Sequence, residues 1–130
     1  MFNQVNFFNK ILDVCTLKQG VYANNIANVN TPNYKRHFVS FDKALQDAMS
    51  SEELSLKTDN PRHISSGNSW KDVEPVEKIE SNTSSRNDGN NVDIDYEVAQ
   101  MTKNTLRYQI VADLTSRLVG RYSTVLREVR

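Results

Sequence analysis

Residues 23–36 read A-N-N-I-A-N-V-N-T-P-N-Y-K-R, and the fold turns on how this stretch is understood. Asn24, Asn25, Asn28 and Asn30 fall within seven residues, and Thr31-Pro32 and Asn33-Tyr34 follow at once. Pro32 has no backbone donor, and its ring pushes Thr31 toward extended geometry, so a helix arriving from the N-terminal side should stop at about Asn30. Asn is the common non-glycine residue that accepts the left-handed conformation, which makes Asn30 or Asn33 the residue that turns the chain. Four amides beside small Ala23 and Ala27 exceed what a plain helix end requires. Asn25, Asn28, Thr31, Pro32 and Tyr34 are expected to form a joint of fixed angle.

N-terminal to the joint, Val5, Phe8, Leu12, Cys15, Gln19, Tyr22, Ile26 and Val29 alternate three and four apart without a break. This is a heptad seam with one polar member, Gln19. A helix over about residues 4–29 would be ~39 Å long at the α-helical rise. Phe7, Ile11 and Val14 widen the stripe. Gly20 weakens the helix by roughly 1 kcal/mol of propensity and is expected to ease a bend or a close approach. Cys15 is the only cysteine, so an internal disulfide and a multi-cysteine zinc site are excluded; its place on the stripe points to buried packing.

A second periodic segment runs from about Asp93 to the end of the chain. Val98, Met101, Thr105, Tyr108, Ala112, Thr115, Val119, Tyr122, Leu126 and Val129 form another three-four seam, and Leu106, Ile110, Leu114 and Leu118 add a stripe at four-residue spacing. Asp93 is a good N-cap. Acidic Asp95 and Glu97 near the start, with Arg117, Arg121, Arg127 and Arg130 toward the end, complement the helix dipole. Such seams need a partner. The expected fold is mainly α: long N- and C-terminal helices (1–31 and 92–130) paired as an antiparallel coiled coil around a small irregular, short-strand middle (32–91). The longer second helix would have surplus length for other subunits.

That middle is polar. Phe38, Phe41, Leu45 and Met49 have helical spacing, with Ser40 as a cap, and predict a short helix near 40–50. Leu54–Thr58 alternates like a strand, and Val73, Val76 and Ile79 around Pro75 suggest an edge strand or extended chain. Residues 81–91 carry no apolar side chain and predict a mobile loop. Trp70 anchors a small core or faces an interface; its surroundings in sequence fit both.

Composition narrows the function. With 16 basic and 16 acidic residues the formal net charge is zero, which provides no electrostatic footprint for nucleic acid or anionic membrane. No run of about 18 apolar residues occurs, so no membrane-spanning helix is expected. The start lacks the basic and apolar pattern of a cleaved secretory signal, so work outside the cytoplasm would need another export route. Asp88, Asn90, Asp93, Asp95 and Glu97 resemble calcium ligands in composition, but Gly89 stands in the wrong place for that loop, and a turn plus a helix cap accounts for them better. His37 and His63 lack partners at metal-site spacing. No nucleophile elbow, phosphate loop or dinucleotide fingerprint is present, so neither catalysis nor a cofactor is expected.

The joint sequence A-N-N-I-A-N-x-x-T-P resembles the signature of the flagellar basal-body rod and hook family of bacterial axial proteins. Asn33 stands where relatives often carry Gly, the substitution a left-handed turn tolerates best. Thr58-Asp-Asn-Pro-Arg-His-Ile64 and Asp88-Gly-Asn-Asn-Val-Asp-Ile-Asp-Tyr-Glu97, continued by Met101, Asn104 and Tyr108, are similar to segments of the proximal-rod members. The resemblance implies a structural subunit whose terminal helices pack into the wall of a hollow helical tube, transmitting torque and bounding the export channel. It implies type III export without signal cleavage and a place in the rod on the periplasmic side. Implied partners are other copies of the chain, adjacent rod proteins, the adaptor protein FliE, the membrane-supramembrane ring and the export gate. It also implies an export signal of the form Phe-x-x-x-apolar; Phe41 with Leu45 fits, as does Phe8 with Leu12, though the same spacing makes an ordinary helix-packing pair. Val5, Leu12, Tyr22, Ile26, Met101, Tyr108, Val119, Tyr122 and Leu126 are the expected assembly residues. A soluble adaptor or export chaperone for axial proteins is the alternative reading.

Overall fold

The computed structural model describes residues 2–53, 70–83 and 86–128. The strand expected at Leu54–Thr58 and the stretch containing His63 lie outside them, as does the side chain of Leu126. In chain order the elements are α1 (Phe2–Ala27), β1 (His37–Ser40), α2 (Asp42–Glu53), a 3₁₀ turn (Trp70–Asp72), β2 (Val76–Ile79) and α3 (Ile94–Glu128). The protein is mainly helical, and its two long terminal helices pack against each other. On α3 the buried positions are Glu97, Asn104 and Val111, one residue before Val98, Thr105 and Ala112 of the expected seam, and Val98, Thr105, Tyr108 and Val119 are exposed. β1 and β2 form a two-stranded sheet.

The chain divides into two compact units. One comprises residues 1–38 and 79–130, so both long helices and the loops at their joined ends belong together. The other spans 39–78. In it Phe41 and Ala48 are buried and Leu45 is half-buried on one side of α2. The Leu45 amide donates to the Phe41 carbonyl at 2.9 Å, which puts Phe41, and not Ser40, at the head of this helix. Ser40 instead closes β1, because His37–Ser40 is drawn into strand pairing that helical spacing in the sequence did not signal.

The direction and register of the long pair follow from two polar contacts. Asn25 Nδ2 donates to Glu97 at 3.0 Å, and Asn104 Nδ2 donates to the Cys15 carbonyl and to Gln19 Oε1, each at 2.8 Å. Moving back along α1 therefore means moving forward along α3: the pair is antiparallel. At equal rise per residue this sets Phe2 opposite about residue 120, so roughly the last two turns of α3 extend beyond α1.

α1 has no acidic residue in its first turn and no basic residue in its last, so it has no side-chain complement to its dipole and depends on packing. α3 is better provided, with Asp95 and Glu97 in its first turn and Arg127 in its last. Asp93 caps it as expected: its Oδ1 accepts from the amides of Asp95 (3.0 Å) and Tyr96 (3.2 Å). The core of this unit is unusual in kind. Val14, Cys15, Val21, Val92 and Val111 are its buried apolar residues, and Lys18, Asn25, Asn90, Glu97 and Asn104 are buried beside them. So polar a core is stable only when every polar group is satisfied. Among the described residues no buried side-chain nitrogen or oxygen lacks a partner.

Candidate functional site

Two buried amides, Asn25 and Asn90, and Glu97, the one buried carboxylate among the described residues, converge where α1 ends and α3 begins. α1 stops at Ala27, about three residues short of the expected Asn30. The chain tightens first: the Asn28 amide is shared between the carbonyls of Asn24 (3.1 Å) and Asn25 (3.2 Å), and Val29 donates to Ile26 at 3.3 Å. Asn28 Nδ2 returns to the Asn24 carbonyl at 2.8 Å, and Asn28 Oδ1 accepts from the Thr31 hydroxyl at 3.2 Å. Thr31-Pro32-Asn33-Tyr34 then makes a turn closed by Tyr34 N–H to the Thr31 carbonyl at 3.3 Å. Pro32 holds the second position, and Asn33 the third with φ of 59°, the residue placement of a type II turn. Asn33 is thus the left-handed residue of the joint.

Facing it is a second turn, Arg86–Gly89, closed by Gly89 N–H to the Arg86 carbonyl at 3.1 Å. Gly89 also has positive φ (79°), and a Cβ there would lie 2.7 Å from Asn33 Oδ1. Asn33 N–H donates to the Asp88 carbonyl at 2.9 Å, so the two left-handed turns are hydrogen-bonded face to face. Glycine is needed at 89 on both counts.

Three asparagine side chains stand in for backbone across this contact. Asn25, fully buried, uses all four of its hydrogen-bonding positions. Its Nδ2 donates to the His37 carbonyl (2.7 Å) and to Glu97 Oε2 (3.0 Å), and its Oδ1 accepts from His37 N–H (3.0 Å) and the Tyr34 hydroxyl (3.2 Å). Asn90, also fully buried, aims Nδ2 at the carbonyls of Asn28 (3.1 Å), Val29 (3.1 Å) and Thr31 (2.9 Å), and its Oδ1 accepts from Val92 N–H at 2.7 Å. The amide has fewer hydrogens than this Nδ2 has acceptors, so at least one hydrogen is shared. Asn90 is therefore a cap supplied from 62 residues away to carbonyls that the end of α1 leaves without helical donors. Asn91 joins three strands of chain: Nδ2 to the Glu80 carbonyl (2.7 Å) and Thr83 Oγ1 (2.8 Å), Oδ1 from Arg36 N–H (2.6 Å).

Charges complete the site. Arg36 Nε pairs with Glu97 Oε1 and its Nη1 with Glu80 Oε2 (3.0 Å), while the guanidinium lies 4.9 Å from the Tyr96 ring centre. Glu97 is fully buried and Glu80 lies at the rim, so the Glu97 pair carries the weight. Burial pulls the Arg36 pKa down, but hydrogen bonds to Glu97 and Glu80 and the charge of Glu97 more than offset it, and the net shift is upward. The guanidinium stays charged. Lys35 reaches the carbonyls of Thr83 (3.0 Å) and Gly89 (2.7 Å), and Arg86 reaches the Val29 carbonyl at 3.1 Å. These contacts are donors matched to carbonyls and carboxylates within one chain. Among the described residues no group of three or more His, Cys, Asp or Glu is arranged to hold a metal ion.

Of the joint residues named from sequence, Asn25, Asn28, Thr31 and Tyr34 are bonded into this network, and Pro32 is exposed at the turn. Asn90, Asn91, Arg36, Glu80 and Glu97 complete the network without a local mark in the sequence that joins them to it, and Asn104 bonds to Cys15 and Gln19 further along the pair. The loop expected to be mobile at 81–91 contains, in its second part, the fully buried Asn90 and its cap contacts. One signal was available: Glu97 and Asn104 stand seven apart on a helix, the spacing that puts both on one face. Among the assembly residues, Val5, Leu12, Tyr22, Ile26, Met101 and Tyr122 are half-buried, and Tyr108 and Val119 are exposed.

Residues 17–35, the last turns of α1 and the joint, match the family model described as "Flagella basal body rod protein". The chain is 34% identical over 128 residues to the flagellar basal body rod protein FlgB of Borreliella burgdorferi, covering 95% of each. It is 36% identical over 115 residues to FlgB of Borrelia hermsii, covering 85% of each, and 38% identical over 109 residues to FlgB of Bacillus subtilis, covering 84% of this chain and 79% of that one. With the matched segment falling on the Asn-rich joint and the relatives aligned along nearly the full length of both terminal helices, the chain belongs to the flagellar basal body rod protein family, among its FlgB-like members.

Proposed function

We propose that the chain is a structural subunit of the proximal rod, working by packing and doing no chemistry. The observation that supports this most directly is on α3. Leu106, Ile110 and Leu114, one turn apart, are 55%, 61% and 46% exposed, and Val98 and Val119 are about as open. Apolar area of this kind on a chain with zero net charge is costly in water and favours burial by other chains. Repetition of one such contact between copies, offset by a rotation that does not close, builds a helical tube. Torque would then pass through helix packing, and the terminal helices would bound the export channel.

The expected neighbours are other copies of the chain, adjacent rod proteins, the adaptor FliE, the membrane-supramembrane ring and the export gate. The chain would act on the periplasmic side after export without signal cleavage. Val5, Leu12, Tyr22, Ile26, Met101, Tyr108, Val119, Tyr122 and Leu126 are proposed assembly residues; Asn25, Asn28, Thr31, Pro32 and Tyr34 hold the joint. Phe41 with Leu45 is the proposed export signal. Among the described residues no helix is long and apolar enough to cross a membrane. The test is fractionation: the chain should stay with basal bodies after detergent washing. Recovery in the soluble fraction alone would sink the assignment.

A further inference from the structure

Both long helices carry apolar residues three and four apart, a pattern that recurs every seven residues. Sliding one helix past the other by one heptad, about 10.5 Å, would again set apolar stripe against apolar stripe. Along the stripes themselves apolar burial discriminates only weakly among these registers, although the slip that carries Glu97 toward the α1 N-terminus also gives up about one heptad of overlap at the joint end. Beyond the bonds of the joint loops, two polar contacts between the helices mark the one observed: Asn25 with Glu97 near the joint, and Asn104 with Gln19 and the Cys15 carbonyl about two turns further along.

We infer that Asn104 is a register-determining residue, acting with Glu97 to specify how α1 and α3 are aligned. Each slipped alternative leaves a polar group stranded. A slip that carries Glu97 toward the α1 N-terminus brings it beside Lys18, which retains a charge pair, but sets the Asn104 amide among Phe8 and Leu12. The opposite slip brings Asn104 to Asn25 but takes Glu97 past the end of α1 and lays Gln19 on Val111. Only the observed register satisfies Glu97 and Asn104 together. Both are buried, so a lost partner is not replaced by water. The inference concerns the isolated chain and stands independently of the rod assignment.

The native thiol makes it testable. Cys15 lines a groove of about 260 Å³ with Thr105 and Tyr108. In the full chain, Thr105→Cys reports the observed register, Val98→Cys the first slip, and Ala112→Cys the second. With Asn104 in place, oxidation should join Cys15 to the Thr105→Cys thiol at least roughly tenfold faster than to either other position. Asn104→Leu removes the penalty that Asn104 puts on the first slip and leaves the joint bonds in place. In that background the Val98→Cys rate relative to the Thr105→Cys rate should rise at least about threefold, while Ala112→Cys stays slow. Undiminished preference for Thr105→Cys would overturn the inference; release of that preference by adding Asn90→Ala would then assign the register to the loop that caps α1. Circular dichroism on the same Asn104→Leu chain should show native helix content, and its loss would also overturn the inference, since Asn104 would then serve folding and not alignment.

Discussion

Asn90 shows how much one side chain decides here. It is fully buried, and its amide nitrogen serves three carbonyls that follow α1 while its oxygen holds the turn into α3. Asn90→Ala removes these bonds and should cost about 1–3 kcal/mol, the usual penalty for stranded buried partners. Asn90→Asp is nearly isosteric and keeps the oxygen that accepts from Val92, yet it should be worse. It turns a carboxylate oxygen toward three carbonyl oxygens and buries a charge, so a loss above about 3 kcal/mol is expected. Urea unfolding of the two variants checks the order, and an Asn90→Asp chain as stable as Asn90→Ala would contradict the cap. The same economy of residue type explains Asn33, whose φ of 59° asks for Gly or Asn, and Gly89, which has no room for a side chain.

At the scale of elements, α1 and α3 are long because their seams are long, and each ends for a stated reason: Pro32 forbids continuation after the joint, and Asp93 caps the start of α3. Gly20 is a different matter. Its sequence position suggested a bend or a close approach, but a Cβ there would have nothing within 4 Å, and the same is true of Gly120 in α3. Neither helix needs glycine at these points within the isolated chain. Gly20→Ala and Gly120→Ala should each raise stability by about 0.5–1 kcal/mol through helix propensity. A shifted denaturant midpoint at constant slope is the measurement; a fall in midpoint at Gly20 would show that α1 needs the glycine after all.

For the whole molecule, stability and assembly should separate. The joint network lies within one compact unit and is satisfied by the chain's own groups, whereas Leu106, Ile110 and Leu114 are open. Substituting Leu106→Asp and Ile110→Asp together should therefore change the unfolding free energy of the isolated chain by no more than about 1 kcal/mol, as exposed positions do. The same pair should abolish swimming and remove the chain from basal bodies while leaving its synthesis intact. Normal motility would show that this face of α3 meets no neighbour.

Taken by itself, the sequence determined the helical class, the two long helices, the stop near Pro32, the cap at Asp93 and the left-handed residue at Asn33. These are local: proline stereochemistry, side-chain capping and a three-four repeat act between residues close in the chain, and each leaves its mark there. But the sequence set the buried line of α3 one residue too late, since apolar Val98 and Tyr108 are exposed where polar Glu97 and Asn104 are buried. It also carried the resemblance at the joint that the relatives bear out. What it did not show is that residues 86–97 fold back on residues 25–37. Asn25 meets Glu97 across 72 residues, and Asn90 reaches the Asn28 carbonyl across 62. A polar loop reads as solvated unless something distant desolvates it, and an Asn looks the same whether its amide meets water or three carbonyls. Only the tertiary structure, by bringing both helix ends together and excluding water there, decided that the polar stretch at 86–91 is part of the core.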